Sequence, residues 1–445
     1  MSARQAAVQA LLQIEQAGGY SNIVLEERLS HTALSAADRG LLTRLVYGVV
    51  ECRLTLDYCL NRVSSVPVKQ MEPAVREILR VGAYQLLYMT RIPAYAVVSE
   101  AAEQAPPRLR GFVNGVLRGV QRQGTALIEA LPDTDKGLEQ RYSCPRVWIR
   151  CWRDAYGEVM THRLLAMLNE APPAYIRICT QKITPAAFTA LLDQAGIAYT
   201  AVPGLPAALR LDSSQALLSM PEETQEFYYF QDAASQWSCR ALGARPGEQV
   251  ADVCAAPGGK TFTVAQAMQN TGRIVAGDIY PQKCGTLRRR AAALGLSSVE
   301  VVQRDAAADP PAEWLARFDR VLCDAPCSGL GVIRRKPEIR YKQPESFADL
   351  PALQLQILRQ AAKLVRPGGV LQYSTCTLRP EENEQVAAAF LAAEAGFAPR
   401  QLPLPECFAA AGLPLSHQIT LLPPVHGTDG FYIAGFVKKQ NEVTA

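Results

Sequence analysis

At 445 residues the chain is too long for one ordinary domain, and with 49% apolar and 20% charged residues it is globular in composition and unlike a disordered chain. A net charge of +4 neither demands nor excludes nucleic acid, because a basic groove can sit inside a nearly balanced total. Its twelve cysteines include no CxxC pair and follow no signal peptide, which excludes a secreted disulfide framework and fits a reducing cytoplasm.

Residues 1 to about 140 read as all helical. Ala7, Leu11, Leu12 and Ile14 recur at helical spacing, as do Leu41, Leu42, Leu45, Val46 and Val49, then Ile78, Leu79, Ala83, Leu86 and Leu87. Prolines 67, 73, 93, 106 and 107 punctuate the helices. No run approaches 18 uninterrupted apolar residues, so no membrane span is expected. This segment holds 15 Lys and Arg against 14 Asp and Glu, which leaves both a scaffold and an RNA-contacting bundle open. Periodicity weakens near 124–145. A small α/β domain is expected from about 145 to 235, with a strand in PPAYIRICT and a helix in ITPAAFTALLDQAG opened by Thr184 as cap and Pro185 in the first turn.

From 236 to 440 short apolar runs alternate with helices. VADVCA, GRIVAGD, SVEVVQRD, FDRVLCDAP and GGVLQYSTC are five strand candidates, separated by TFTVAQAM, QKCGTLRRRAAALG and LPALQLQILRQAAKLV. That is the pattern of a C-terminal α/β, doubly wound, Rossmann-like domain with a mostly parallel sheet, whose ligands bind beyond the carboxyl ends of the strands. The expected fold class is therefore multidomain: helical bundle, small α/β domain, doubly wound domain.

The first strand candidate runs into Asp252 and then Cys254, Ala255, Ala256, Pro257, Gly258, Gly259 and Lys260. Glycines before a helix allow close backbone approach by a ligand. The spacing matches neither GxGxxG nor a P-loop, whose first glycine would fall at Cys254. The second strand ends at Asp278, placed to accept from a ribose diol, and the third at Asp305, within reach of an adenine amino group. Together these ends imply an adenosine-containing ligand with no pyrophosphate, which points to S-adenosylmethionine over NAD. Histidines 31, 162, 417 and 426 have no ligand spacing, so no metal is expected.

The fourth strand ends in Asp324-Ala-Pro-Cys327 and the fifth in Tyr373-Ser-Thr-Cys376. A thiolate adding to carbon 6 of cytosine makes carbon 5 nucleophilic enough to take a methyl group, and an acid at N3 stabilises the adduct. Residue chemistry alone leaves the choice of nucleophile between Cys327 and Cys376 open. Arg334, Arg335, Lys336, Arg340 and Lys342, with Tyr341 among them, form either a solvated loop or a phosphate-gripping segment beside the pocket; position favours the second.

DVCAAPGGKT, DAPCSGLG and YSTCTL, in this order, resemble the Sun/NOL1/NOP2 family of RNA cytosine-5 methyltransferases, as do YFQDAASQW, RRKPEIRY and HGTDGFYIAGF. RLVYGVV, RLTLDYCL and GFVNGVLRG resemble a NusB-like domain, the extension of the bacterial type that modifies 16S ribosomal RNA. The resemblance implies Cys376 as nucleophile and Cys327 in release of the product. It implies a donor site at Cys254 to Lys260, Asp278, Asp305 and Asp324, with Asp324 and Lys260 also assisting at the base. It further implies a cytoplasmic monomer acting on 16S rRNA, and HGTDGFYIAGF as a supporting hairpin. The competing readings are a non-catalytic RNA-binding assembly factor and a DNA cytosine-5 methyltransferase, which uses the Pro-Cys cysteine.

Overall fold

The computed structural model describes residues 1–17, 21–405 and 416–440, so residues 18–20 of the first helical stretch lie outside it. The chain forms two compact units. One comprises Met1–Ala171 with Ile333–Gln343, the other Pro172–Val332 with Pro344–Ala445. Among the described residues no helix is long and apolar enough to cross a membrane.

The first unit is helical: α1 (Ala3–Ala17), α2 (Ser21–His31), α3 (Ala36–Glu51), α4 (Arg53–Val63), α5 (Pro73–Tyr88), α6 (Ala94–Gln104), α7 (Arg110–Glu129), α8 (Asp135–Tyr142) and α9 (Arg146–Met167). The periodic apolar residues close its core. Ala7, Leu11, Leu42, Leu45, Val46, Val49, Ile78, Leu79 and Ala83 are buried, with Leu12, Ile14, Leu41, Leu86 and Leu87 packed against them. Local chemistry sets the helix starts. Ser35 Oγ accepts from Asp38 N at 3.1 Å ahead of α3, and Pro73 opens α5, where its missing N–H costs nothing. Helix α9 belongs to this unit and turns at Gly157, whose φ of 78° a side chain disfavours.

Within Ile333–Gln343 the structure removes Arg334 and Arg340 from the expected phosphate-gripping set, whereas Lys336 is exposed and Arg335 and Lys342 are half-buried. Arg340 is 0% exposed and donates to the carbonyl oxygens of Glu51 (3.1 Å), Ser143 (3.5 Å) and Leu168 (3.3 Å). Those carbonyls sit at the C-terminal ends of α3, α8 and α9, where unpaired acceptors and the negative ends of three helix dipoles favour a cation. Trp148 Nε1 donates to Arg340 O at 2.8 Å, and the Tyr341 hydroxyl donates to Val50 O at 2.7 Å beneath the Arg53 guanidinium. Arg334 is buried as well. Position in the chain suggested a charged loop; burial spends its central arginine on helix ends.

The second unit holds two sheets. The smaller has order β2-β3-β1-β4 and is antiparallel, from β1 (Ala174–Ile178), β2 (Tyr199–Val202), β3 (Leu205–Leu211) and β4 (Tyr228–Phe230). Helix α10 (Pro185–Gln194) packs on it, with Thr184 Oγ1 accepting from Ala187 N as cap. Only β1 was signalled by periodicity; β2 and β4 are too short and too mixed in polarity to show one.

The larger sheet has order β10-β12-β9-β8-β5-β6-β7, with β11 paired to β12. Its parallel strands are β5 (Gln249–Asp252), β6 (Arg273–Asp278), β7 (Val299–Gln303), β8 (Phe318–Asp324) and β9 (Val365–Thr375), the five expected. Antiparallel strands β10 (Phe397–Pro399), β11 (Gln418–Leu421) and β12 (Phe431–Lys438) extend it past β9. Helices α11 (Ala233–Leu242), α12 (Gly259–Ala267), α13 (Pro281–Ala293), α14 (Leu350–Leu364) and α15 (Glu384–Ala393) complete the unit.

Replacing Arg340 with Ala removes its donor from three helix-end carbonyls, of which Glu51 O keeps only the 3.3 Å bond from the Tyr341 hydroxyl, with an expected loss of about 3 kcal/mol. Arg340→Lys recovers only part, because a single ammonium cannot span three helix ends. Chemical denaturation of the three proteins checks this; equal midpoints would remove the capping role.

Candidate active site

Parallel pairing delivers the carboxyl ends of β5, β6, β7, β8 and β9 to one edge, and the expected donor-site residues and both cysteines lie there, whereas the basic segment 334–342 belongs to the other unit. After β5 the backbone folds back on itself: Ala255 N donates to Gly277 O and Gly258 N to Ala255 O, each at 2.8 Å. Gly258 adopts φ +110°, and a Cβ there would stand 2.3 Å from the Phe262 ring, so glycine is required. Ala256 is half-buried and Pro257 exposed at the rim, while Gly259 and Lys260 open α12.

Four carboxylates converge on this loop. The Cys254 thiol is pushed up first by burial and then by the charges of Asp252, Asp324, Asp278 and Asp305. Asp278 is buried at the end of β6 and Asp305 is exposed just beyond β7. Asp252 Oδ2 accepts from Thr261 Oγ1 at 2.7 Å, whereas its buried Oδ1 has no partner among the described residues. A ring of acceptors with an unmet buried oxygen fits a ligand that brings hydroxyl donors and positive charge, as a sulfonium nucleoside does.

Beside it lies an ion pair. Lys260 Nζ donates to Asp324 Oδ2 at 2.7 Å, and Ser374 Oγ donates to Asp324 Oδ1 at 2.8 Å. Burial alone would depress the Lys260 pKa, but Asp324 outweighs it and the ammonium is held, with Cys239 and Cys376 adding to that pull. The Phe431 ring lies 5.0 Å from Nζ.

Cys327 and Cys376 meet with Sγ atoms 3.3 Å apart. The Cys327 thiol is pushed well above its ordinary range, first by the hydrogen bond it shares with Cys376, then by burial and by the Cys376 charge. Two thiols in contact cannot both ionise readily, so a charge on one keeps the proton on the other.

Sequence reasoning missed the frame around this pair. Glu382 Oε2 accepts from Ser328 N (2.8 Å) and Gln354 Nε2 (3.0 Å), and Gln354 also donates to Pro326 O (2.9 Å). Ser328 Oγ and Thr377 Oγ1 join the two cysteine loops at 2.7 Å. Gly331 N donates to Cys376 O, and Gly430 N to Gly331 O, at 2.9 Å each. A Cβ on Gly331 would lie 2.0 Å from Gly430 O, so the expected hairpin of 426–436 presses directly on the Cys327 loop. Gln354 lies more than 20 residues from either cysteine, and Glu382, six residues after Cys376, reads locally as one more acid of a charged turn, so neither carries a signal of its contact with the Cys327 loop.

Three family models divide the chain: the NusB family over residues 1–122, the RsmF/B-like ferredoxin-like domain over 144–217, and 16S rRNA methyltransferase RsmB/F over 239–437. Fold and strand-end site together define a methyltransferase. The chain is 36% identical to the "Probable ribosomal RNA small subunit methyltransferase B" of Bacillus subtilis (strain 168), covering 98% of this chain and 99% of that protein. It is 34% identical to the ribosomal RNA small subunit methyltransferase B of Klebsiella pneumoniae subsp. pneumoniae, covering 98% of each. The crystal structure of PH0851 shares the fold, with a TM-score of 0.78 at 24% identity over 98% of both chains. The chain therefore belongs to the ribosomal RNA small subunit methyltransferase B family of S-adenosylmethionine-dependent enzymes.

Burial pushes the Asp252 carboxyl up to about 7, against the Thr261 hydrogen bond and with help from the Asp324 charge. Its folded pKa thus exceeds its unfolded value of about 3.9, so the group stabilises the fold fully below about pH 4 and loses that contribution as pH rises through about 7. Asp252→Asn stays neutral throughout. The stability of wild type relative to this variant should therefore fall by about 3–4 kcal/mol between about pH 4 and 8. Denaturation across that range checks it, and a flat difference would mean that Asp252 does not titrate this way.

Proposed function

We propose that this protein methylates carbon 5 of a cytosine in 16S rRNA, with Cys376 as covalent nucleophile. The observation that carries the reading is the 3.3 Å contact of two strand-end thiols beside the Lys260–Asp324 pair. The relatives named as small subunit rRNA methyltransferases supply the RNA.

The donor is assigned to the loop from Cys254 through Ala255, Ala256, Pro257, Gly258 and Gly259 to Lys260, with Asp278, Asp305 and Asp324. When bound, S-adenosylmethionine supplies an electrophilic methyl group. The thiolate of Cys376 adds its electron pair to cytosine carbon 6, and charge moves into the ring toward N3. Lys260, held protonated and tied to Asp324, is placed to favour the thiolate before addition and to meet charge at the base edge afterwards. Carbon 5 then takes the methyl group. Loss of the carbon 5 proton to water leaves its electron pair to restore the double bond between carbons 5 and 6, and the carbon–sulfur bond breaks with its pair on sulfur, returning Cys376 as thiolate. We assign Cys327, in contact with the leaving sulfur, to this release step.

The test is release of tritium from carbon 5 of cytosine in unmodified 16S rRNA. Cys376→Ala should abolish release, by a factor of about 10³ or more, with donor binding intact. Persistent activity would remove Cys376 as nucleophile. In Cys327→Ala, methyl transfer should proceed while a protein–RNA adduct accumulates as a slowly migrating band. Absence of that band in the presence of donor would remove the release role, and binding without any turnover in wild type would return the assembly-factor reading.

A further inference from the structure

Helix α13, which follows the Asp278 strand end, carries Lys283, Arg288, Arg289 and Arg290 and no acidic residue. All four are exposed. Among the described residues none of them is ion-paired, whereas Arg273 at the start of β6 is held by Glu300 at 2.7 Å. Three successive cations repel one another, and Lys283 stands in the first turn, where the helix dipole disfavours positive charge. The contacts these side chains do make are local: Arg288 Nη2 donates to Val301 O and Arg289 Nη2 to Thr286 Oγ1, each at 3.1 Å.

The geometry also has a direction. Lys283 and Arg290, seven residues apart, lie on one side of the helix with an axial spacing of about 10 Å, and Arg289, about 100° further round, points directly away from the buried face of Cys284, Leu287 and Ala291. At the helix entrance Ile279 is 48% and Tyr280 57% exposed, and Lys283 Nζ sits 4.3 Å from the Tyr280 ring centroid. An exposed aromatic ring with one face toward Lys283, leading into a group of cations without carboxylate partners among the described residues, matches a single-stranded nucleic acid, whose bases stack and whose phosphates need positive charge.

We propose that α13 is a contact surface for the RNA strand, with Lys283, Arg289 and Arg290 meeting backbone phosphates and Tyr280 offering its ring to an unpaired base. This rests on the reading of the chain as an RNA methyltransferase and adds where the RNA is held. Of the five basic residues the sequence first offered for this task, Arg334 and Arg340 are buried, while Arg335, Lys336 and Lys342 keep exposed surface.

The test combines Lys283→Ala, Arg289→Ala and Arg290→Ala, substitutions that favour the helix. Filter binding of an unmodified 16S rRNA transcript is measured between about 50 and 200 mM salt. Losing three phosphate contacts should reduce the slope of log affinity against log salt by about two and weaken binding about tenfold or more near 150 mM. A control pair, Lys363→Ala with Arg366→Ala, removes surface cations already paired to Asp309 and Asp319 and should leave the slope unchanged. If wild type binds and methylates the transcript while the triple variant keeps its full slope, the α13 assignment falls alone. If wild type shows neither binding nor methylation, the underlying reading falls with it.

Discussion

The parallel pairing of β8 with β9, which sets Asp324 opposite Ser374, is the constraint on which the site depends. With that register Ser374 reaches one oxygen of Asp324, leaving the other for Lys260. Three residues beyond Asp324 and two beyond Ser374, the chain places Cys327 and Cys376 in contact. A slip of one residue would turn alternate side chains to the opposite face and separate the acid from its serine. The buried Glu382 frame and the Gly331–Gly430 approach then hold two loops that lie beyond any ladder hydrogen bond.

Electrostatics around this edge has a division of labour. Carboxylates gather around the Cys254 loop, and the Lys260 ammonium is tied to one of them, Asp324, while feeling the Cys376 thiol. The ammonium stays charged because Asp324 offsets its desolvation, and the Cys327 proton is held by its hydrogen bond with Cys376 and by burial. These are reciprocal effects, so the proposed nucleophile and release thiol are distinguished by surroundings more than by residue type.

The helical unit depends on a different interaction of the same economy. One guanidinium, supplied by a segment nearly two hundred residues further along the chain than Ser143, satisfies the ends of three helices. Its charge is tolerated because three oriented carbonyls and their dipoles surround it, with the Glu51 carboxyl close enough to interact. Reading Arg340 as a phosphate contact was reasonable from its basic neighbours. Burial reversed it, since a side chain with no exposed surface cannot meet a ligand.

The alternation of apolar runs and helices by itself determined the five parallel strands, and the composition of their ends determined which residues would gather at one edge. That worked because a parallel sheet has only one such edge, so strand-end residues converge whatever their spacing in sequence. Likewise Thr184 as a cap and the apolar faces of α1, α3 and α5 were legible, because caps and helical faces are local. Tertiary structure alone decided the contact of Cys327 with Cys376, the roles of Gln354 and Glu382 as a frame, and the conversion of Arg340 from surface charge to helix cap. Each of these is a pairing between residues far apart in the chain, fixed by packing and burial rather than by any local pattern.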